Sequence, residues 1–140
     1  MASKRIKGTL KYPKHLPQIN PCDFLQFVEL DEFYSDWQDL ELTDDDLFAL
    51  QVIIMSNPKG CPVVQGTGGL RKLRFAPNKW NAGSSGGARV FYAYLEAHGI
   101  VLLVMAYNHK HKKDLTSDER HEIKQYLDSV NNLFSSKHFT

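Results

Sequence analysis

The sequence predicts an α+β protein, in which a small antiparallel sheet is covered by an N-terminal helical hairpin and a C-terminal helix. Three observations predict this class. Several short segments alternate polar and apolar residues, as strands do. Two consecutive segments near the start carry apolar residues at helical spacing. A T-x-x-E capping box opens the last apolar-striped segment. The resulting order is β-α-α-β-β-β-α.

The first half supplies one strand and two helices. The segment FLQFVEL (24–30) is strand-like, and LDEFYSDWQDL follows with Leu30, Phe33, Trp37 and Leu40 at helical spacing. The segment LTDDDLFALQVIIM predicts a second helix. Thr43 can cap it, and the three aspartates that follow suit the positive end of its dipole. A short loop between the helices predicts a hairpin.

The second half supplies three strands and a helix. The strands are predicted at LRKLRFA (70–76), ARVFYAYLE (88–96) and IVLLVMAY (100–107). The last has no polar residue before Tyr107, so we expect a central strand that is covered on both faces. The final helix begins at the capping box of Thr116 and Glu119. Its apolar stripe consists of Ile123, Tyr126, Leu127, Val130 and Phe134.

Length and composition predict one globular domain at residues 24–140, preceded by a basic, proline-containing extension at residues 1–23. No apolar run approaches the ~20 residues that span a bilayer. The N-terminus lacks the apolar core of a secretory signal. Cys22 and Cys61 suggest no disulfide framework, so we expect reduced thiols in a cytoplasmic protein.

The net charge of +1 conceals a strong asymmetry. From Cys22 to Asp46 there are ten acidic residues and no basic one, whereas Gly66 to Lys113 holds eight basic residues and one acidic residue. Such asymmetry suggests an anionic partner for one surface. The alternative is that the two halves neutralise each other through salt bridges.

Three cations on neighbouring strands are the first candidate site. If Leu73 and Phe75 face the core, Lys72 and Arg74 lie on the other face, ~6.6 Å apart. This distance is close to the roughly 6–7 Å between phosphates of an extended nucleic-acid strand. Arg89 opens the next strand, where pairing could bring it alongside them. Three adjacent cations repel one another unless an anion is shared, although an ordinary solvated strand face is the alternative.

The end of the apolar strand is the second candidate site. In NHKHKKD (108–114), His109 and His111 alternate with lysines, whose charge should disfavour the protonated imidazoles. A neutral imidazole near pH 7 can act as a general base, although a soluble basic turn is the alternative. Lysines crowd the H-x-H pair and disfavour a bound cation, so we expect no metal and no cofactor. Further RNA-binding candidates are Arg71, Lys79, Trp80, Lys110, Lys112 and Lys113. Trp80 could stack on a base or fold back on the sheet.

Six segments together resemble the RelE/HigB branch of the RelE/ParE toxin superfamily. They are FVELDEFYSDW, LTDDDLFALQ, GTGGLRKLRFA, SGGARVFYAY, LLVMAY and DLTSDE, and the resemblance spans residues 24–134. It implies a toxin of a type II toxin–antitoxin pair, neutralised by an antitoxin protein. It also implies metal-independent cleavage of mRNA in the ribosomal A site, in which the ribose 2′-OH attacks the adjacent phosphate.

The resemblance also implies roles for individual residues. Arg89 is expected to clamp phosphate, and Lys72 or Arg74 to stabilise charge, while Tyr107, His109 and His111 are candidates for proton transfer. The chain departs from the family pattern at Gly83-Ser84-Ser85, where relatives carry a basic residue, and at His109 and His111, which replace Lys and Glu. Two alternatives stay open, a ParE-like toxin that inhibits DNA gyrase without nuclease chemistry and a catalytically silent co-repressor that binds the antitoxin.

Overall fold

The structure, a computed structural model, describes residues 24–80, 86–112 and 114–136. The α+β class and the predicted order of elements are confirmed. The predicted extension at residues 1–23 lies outside the described residues, as do Cys22, Gly83-Ser84-Ser85 and Lys113. The elements are β1 (Gln26–Glu29), α1 (Asp31–Asp39), α2 (Asp44–Ser56), β2 (Leu70–Phe75), β3 (Ala88–Leu95), β4 (Ile100–Asn108) and α3 (Ser117–Ser136).

The sheet has the strand order β1-β4-β3-β2, so β4 is a central strand, as predicted. Strands β2, β3 and β4 are antiparallel neighbours, whereas β1 pairs with β4 in parallel. The sheet is therefore mixed, and the expectation of a purely antiparallel sheet is corrected at this edge. Only residues 96–99 connect β3 to β4, which is too short for a parallel crossover, so this pair is antiparallel. The chain between β1 and β4 includes a helical hairpin, and such a long crossover permits a parallel pair.

Two apolar cores lie on opposite faces of the sheet. The hairpin of α1 and α2 covers one face, where Phe33, Trp37 and Leu50 pack with strand residues that include Leu73, Phe75, Val90, Tyr92 and Leu103. Helix α3 covers the other face, where Ile123 and Leu127 pack with Leu70, Phe91, Ala93, Leu102 and Val104. We call these the hairpin face and the α3 face. Lys72 and Arg74 alternate with hairpin-face residues, so they lie on the α3 face.

Both predicted helix caps form. The Thr43 hydroxyl accepts a hydrogen bond from the Asp46 N–H at 3.1 Å, and the Asp46 carboxylate accepts one from the Thr43 N–H at 2.9 Å. Thr116 and Glu119 make the same reciprocal pair at 3.1 and 2.8 Å. Each pair satisfies two of the backbone donors that a helix start leaves open.

A β-bulge in β4 changes which face its last residues occupy. Phe91 pairs with Met105 while Tyr92 pairs with Leu103, which leaves Val104 as an extra residue. Simple alternation from Leu103 would place Tyr107 on the hairpin face. The extra residue shifts the alternation by one, and Tyr107 packs on the α3 face instead.

No helix within the described ranges is long and apolar enough to cross a lipid bilayer. Cys61 carries a free, half-buried thiol.

Candidate functional site

Two arginines and a tyrosine form one row across three strands. Arg74 of β2 is directly opposite Arg89 of β3, and Arg89 is directly opposite Tyr107 of β4. Opposed residues of this kind have Cβ atoms about 5 Å apart. We call Arg74, Arg89 and Tyr107 the Arg–Tyr row. Lys72 lies on the same face, two residues before Arg74, and is opposite Phe91. The expectation that strand pairing brings Arg89 alongside Arg74 and Lys72 is confirmed.

One backbone oxygen holds both guanidinium groups. The Gly86 carbonyl accepts a hydrogen bond from Arg74 Nε at 2.7 Å and from Arg89 Nη1 at 3.2 Å. A carbonyl dipole placed between two cations reduces their repulsion and orients both groups. Arg89 is 8% exposed, whereas Arg74 is exposed to solvent. The pair therefore presents one deeply held cation and one accessible cation on the same surface.

The position of the Gly86 carbonyl depends on the next residue, Gly87. Its φ is +93°, in the region that favours glycine. A Cβ atom there would lie 2.9 Å from the Ala76 Cβ and 3.0 Å from the Phe75 carbonyl oxygen. A glycine at position 87 is thus required by the close approach of the end of β2.

We expect Gly87→Ala to lower the free energy of unfolding by at least about 2 kcal/mol, because it combines backbone strain with a steric clash. Gly66→Ala is the matched control, since Gly66 has a φ of +83° and no atom near the added Cβ. That control should cost about 1 kcal/mol from strain alone. Urea denaturation measures both. Equal losses in the two variants would contradict the close approach described for Gly87.

Tyr107 has a buried hydroxyl at the end of the row. Its ring packs on Phe91 with centroids 5.3 Å apart, and Lys112 Nζ lies 5.6 Å from the ring centroid. No described residue forms a hydrogen bond with the buried Tyr107 Oη. Burying a hydroxyl without a partner costs free energy, so such a group is typical of a site that meets a ligand.

Burial raises the pKa of Tyr107 to about 12. The charges of Asp114 and Glu119 contribute to this rise, and the charges of Arg89 and Arg120 oppose it. The phenol therefore keeps its proton throughout the neutral range. This arrangement suits a hydrogen-bond donor or a proton donor and does not suit a general base.

We expect the phenolate absorbance that distinguishes the wild type from Tyr107→Phe to appear near pH 12 rather than near pH 10. Because the folded pKa exceeds that of a free tyrosine, the neutral phenol favours the folded state up to pH 10. That contribution is then lost between pH 10 and pH 12. A spectrophotometric pH titration of both proteins measures it. A Tyr107 step at pH 10 would contradict the burial of the hydroxyl.

The turn after β4 separates the two candidate histidines. The His109 N–H donates to the Gly87 carbonyl at 3.2 Å, which ties this half-buried residue to the glycine pair beside the Arg–Tyr row. His111 and Lys110 are exposed, and the His111 N–H donates to the Asn108 carbonyl within the turn. Of the two histidines, His109 is the one that the backbone holds near Arg89.

Charged groups at the start of α3 form the border of the row. Lys112 forms an ion pair with Glu119, and Arg120 Nη2 pairs with Asp114 at 3.1 Å. The hydrogen bond from Lys112 lowers the pKa of Glu119. The Leu115 N–H lowers the pKa of Asp114, as do the charges of Arg120 and Lys72. Both carboxylates are therefore ionised at neutral pH.

Arg120 is not among the candidates that the sequence indicates, yet it lies close enough to Tyr107 to influence the pKa of that residue. Its Nη1 also donates to the Gln65 carbonyl at 3.2 Å. A signal was present, because position 120 continues the spacing of the Ile123 and Leu127 stripe toward the sheet. A cation at a helix position that points toward the sheet indicates an electrostatic contact at the edge of the α3 face.

Three of the RNA-binding candidates lie away from the row. Arg71 is opposite Tyr92 on the hairpin face and donates to the carbonyls of Lys59 at 3.1 Å and Cys61 at 2.6 Å. Lys79 forms an ion pair with Asp46 at 2.9 Å. Trp80 packs against the core of the hairpin face. A salt bridge between the acidic and basic halves thus neutralises Lys79, as the alternative interpretation expects. Lys72, Arg74 and Arg89 instead lie together on the α3 face.

Within residues 24–80, 86–112 and 114–136, no three His, Cys, Asp or Glu side chains come together in a way that could hold a metal ion.

No protein-family model matches the chain. Among solved structures, the chain is similar to a double arginine-to-alanine mutant of the E. coli toxin RelE in its free state. The sequence identity is 14% and the TM-score is 0.46, over 78% of this chain and 97% of that chain. A similarity at this level assigns no role to any residue, so the roles considered below rest on the side chains of this chain.

Proposed function

We propose that the protein is the toxin of a type II toxin–antitoxin pair, of the HigB-like kind, and an endoribonuclease of the cytoplasm. It cleaves mRNA in the ribosomal A site without a metal and is neutralised by a cognate antitoxin. The observation that carries this proposal is the Arg–Tyr row. Two guanidinium groups that share the Gly86 carbonyl lie beside a buried, protonated phenol. Cations next to a proton donor are what cleavage of a phosphodiester requires.

The proposed reaction is an intramolecular transesterification. The ribose 2′ oxygen attacks the adjacent phosphorus, and a 2′-O–P bond forms while the bond from phosphorus to the 5′ oxygen breaks. The 2′-OH proton passes to a general base, and the leaving 5′ oxygen receives a proton. The products are a 2′,3′-cyclic phosphate and a 5′-hydroxyl. Neither water nor an oxidant enters this step, so the atoms balance.

The residues of the site have distinct proposed roles in this reaction. Arg89 clamps the scissile phosphate, because its guanidinium is held in place before substrate arrives. Arg74 and Lys72 stabilise the charge that the pentavalent transition state gains. Tyr107 donates the proton to the 5′ oxygen, and Arg89 then stabilises the phenolate. His109 is the proposed general base, because its N–H bond to the Gly87 carbonyl holds it beside the Arg–Tyr row.

The cations that follow β4 have a supporting role in this proposal. Lys112 lies over the Tyr107 ring, and Lys110 and His111 are exposed in the adjoining turn; all three are proposed to contact flanking phosphates of the mRNA. Lys112 is already paired with Glu119, so it is expected to contribute less than Lys110. The proposed interface does not include Arg71, Lys79 or Trp80, because their contacts lie on the hairpin face.

The test is mRNA cleavage in a purified translation system, mapped by primer extension with and without ribosomes. We expect cuts that require ribosomes and fall at a fixed position within codons. An mRNA with a 2′-deoxy nucleotide at the cut site should stay intact, because it lacks the nucleophile. Cuts in naked RNA would support the nuclease activity and contradict its dependence on ribosomes. Intact mRNA together with inhibited DNA supercoiling would favour a gyrase-directed toxin. If the folded protein affects neither mRNA integrity nor DNA supercoiling, a catalytically silent co-repressor is the remaining interpretation.

A further inference from the structure

The outer side of α2 is apolar, although it faces solvent. Leu47, Leu50 and Ile54 point into the core and are at most 2% exposed. On the opposite side, Phe48, Val52 and Ile53 are 37%, 40% and 47% exposed. A surface helix normally presents polar residues to water, and one that is apolar all round is usually covered. We call Phe48, Ala49, Val52 and Ile53 the outer α2 face.

The charged residues of α1, α2 and the loop between them are all acidic, and Lys79 pairs with one of them, Asp46. From residue 24 to residue 58 the chain holds nine acidic residues and no lysine, arginine or histidine. Asp45 is exposed in the first turn of α2, and Asp31, Asp39 and Glu41 are exposed on and after α1. A second copy of the chain would bring two acidic borders together, which is unfavourable. Charge complementarity instead favours a basic occupant.

We propose that the outer α2 face is a docking surface for a basic amphipathic helix of a partner protein. Residues 48 and 52, and 49 and 53, are one helical turn apart, so they form the short apolar ridge that a partner helix can pack against. Lysines or arginines beside the apolar residues of that helix would meet the acidic border. Only the identification of this partner with the antitoxin rests on the proposed function.

The location makes the proposal separable from catalysis. Helix α2 packs on the hairpin face, whereas the Arg–Tyr row lies on the α3 face of the sheet. A partner helix on the outer α2 face is therefore not expected to compete with RNA for Arg89. Changes in the outer α2 face should alter partner binding and leave cleavage unchanged.

The experiment measures fluorescence anisotropy of a labelled synthetic peptide with the full-length chain at ~0.15 M salt. The peptide is a helix of about 18 residues, or five turns, with a leucine face and a lysine face. A control peptide carries glutamate in place of each lysine. The variant Val52→Ser/Ile53→Ser removes the apolar ridge. Leu133→Ser is the matched control, since Leu133 is 49% exposed on α3.

We expect the lysine peptide to bind the wild type and Leu133→Ser equally, and to bind Val52→Ser/Ile53→Ser at least ~10-fold more weakly. The glutamate peptide should not bind. Equal binding of both peptides, or binding that survives Val52→Ser/Ile53→Ser, would overturn the proposal. So would a dimer of the wild type that this variant abolishes.

A further full-length variant replaces Lys4, Arg5, Lys7, Lys11 and Lys14 by serine. If only this variant binds the lysine peptide, the occupant is the chain's own basic segment and the proposal of a partner is overturned. Cleavage by Val52→Ser/Ile53→Ser is measured alongside. If Val52→Ser/Ile53→Ser cleaves mRNA but no longer binds the peptide, both proposals are supported. If neither the wild type nor the variant cleaves mRNA and only the variant fails to bind the peptide, the docking surface alone is supported.

Discussion

Arg89→Ala is expected to lower the rate of mRNA cleavage by at least ~10²-fold, because it removes a preorganised cation from the developing charge on the phosphate. Arg89 is 8% exposed and is held by the Gly86 carbonyl, so its side chain loses little conformational entropy when substrate binds. Expression of the variant should no longer arrest growth. The measurement is the single-turnover cleavage rate on programmed ribosomes, with thermal unfolding to establish that the variant folds.

Two variants make the Arg89 test specific. Arg89→Lys keeps the charge and loses the planar fork, so we expect an intermediate rate. Lys59→Ala removes a cation whose side chain is 56% exposed and pairs with Glu96, away from the row. That control should cleave at the wild-type rate. If Arg89→Ala folds and cleaves normally, the assignment of the phosphate clamp is wrong.

Tyr107→Phe is expected to lower the cleavage rate by ~10²–10⁴-fold, the range that a positioned general acid contributes. Its affinity for an uncleavable 2′-deoxy mRNA on the ribosome should stay within about twofold, since the phosphate contacts are untouched. The stability of the protein should stay the same or rise by up to about 1 kcal/mol, because the buried hydroxyl has no hydrogen-bond partner among the described residues.

This combination distinguishes a proton donor from a structural residue. A structural tyrosine would lose stability and cleavage together when its hydroxyl is removed. A tyrosine that only binds RNA would weaken affinity along with the rate. A substrate with a better leaving group than the 5′ oxygen, such as a 5′-phosphorothiolate linkage, needs no proton donor and should restore the rate of Tyr107→Phe. If this substrate does not restore the rate, Tyr107 is not the proton donor.

Much of the fold followed from local patterns in the sequence. The alternation in LRKLRF places Lys72 and Arg74 on one face because a strand has a period of two residues. The helices begin at Thr43 and Thr116 because a threonine hydroxyl and a carboxylate three residues later satisfy open backbone donors. These features depend on neighbours in the chain, so residue order alone determines them.

The candidate site depended on long-range pairing, which local patterns do not encode. The register of β2 and β3 makes Arg74 face Arg89, and the extra residue Val104 brings Tyr107 onto the same face. Without that bulge, alternation would have sent Tyr107 to the hairpin face. The parallel pairing of β1 was missed for a similar reason, because strand direction is set by a long connection.

Residue identity by itself determined which side chains could bind phosphate or move a proton, and the tertiary structure decided which of them meet. Arg71 and Lys79 have the same charge as Arg74, yet their hydrogen bonds and ion pair hold them on the hairpin side. Arg120 was not singled out, yet helix α3 carries it toward Tyr107. The physical reason is that a cation acts over a few ångströms, and only the packing of strands and helices sets distances on that scale.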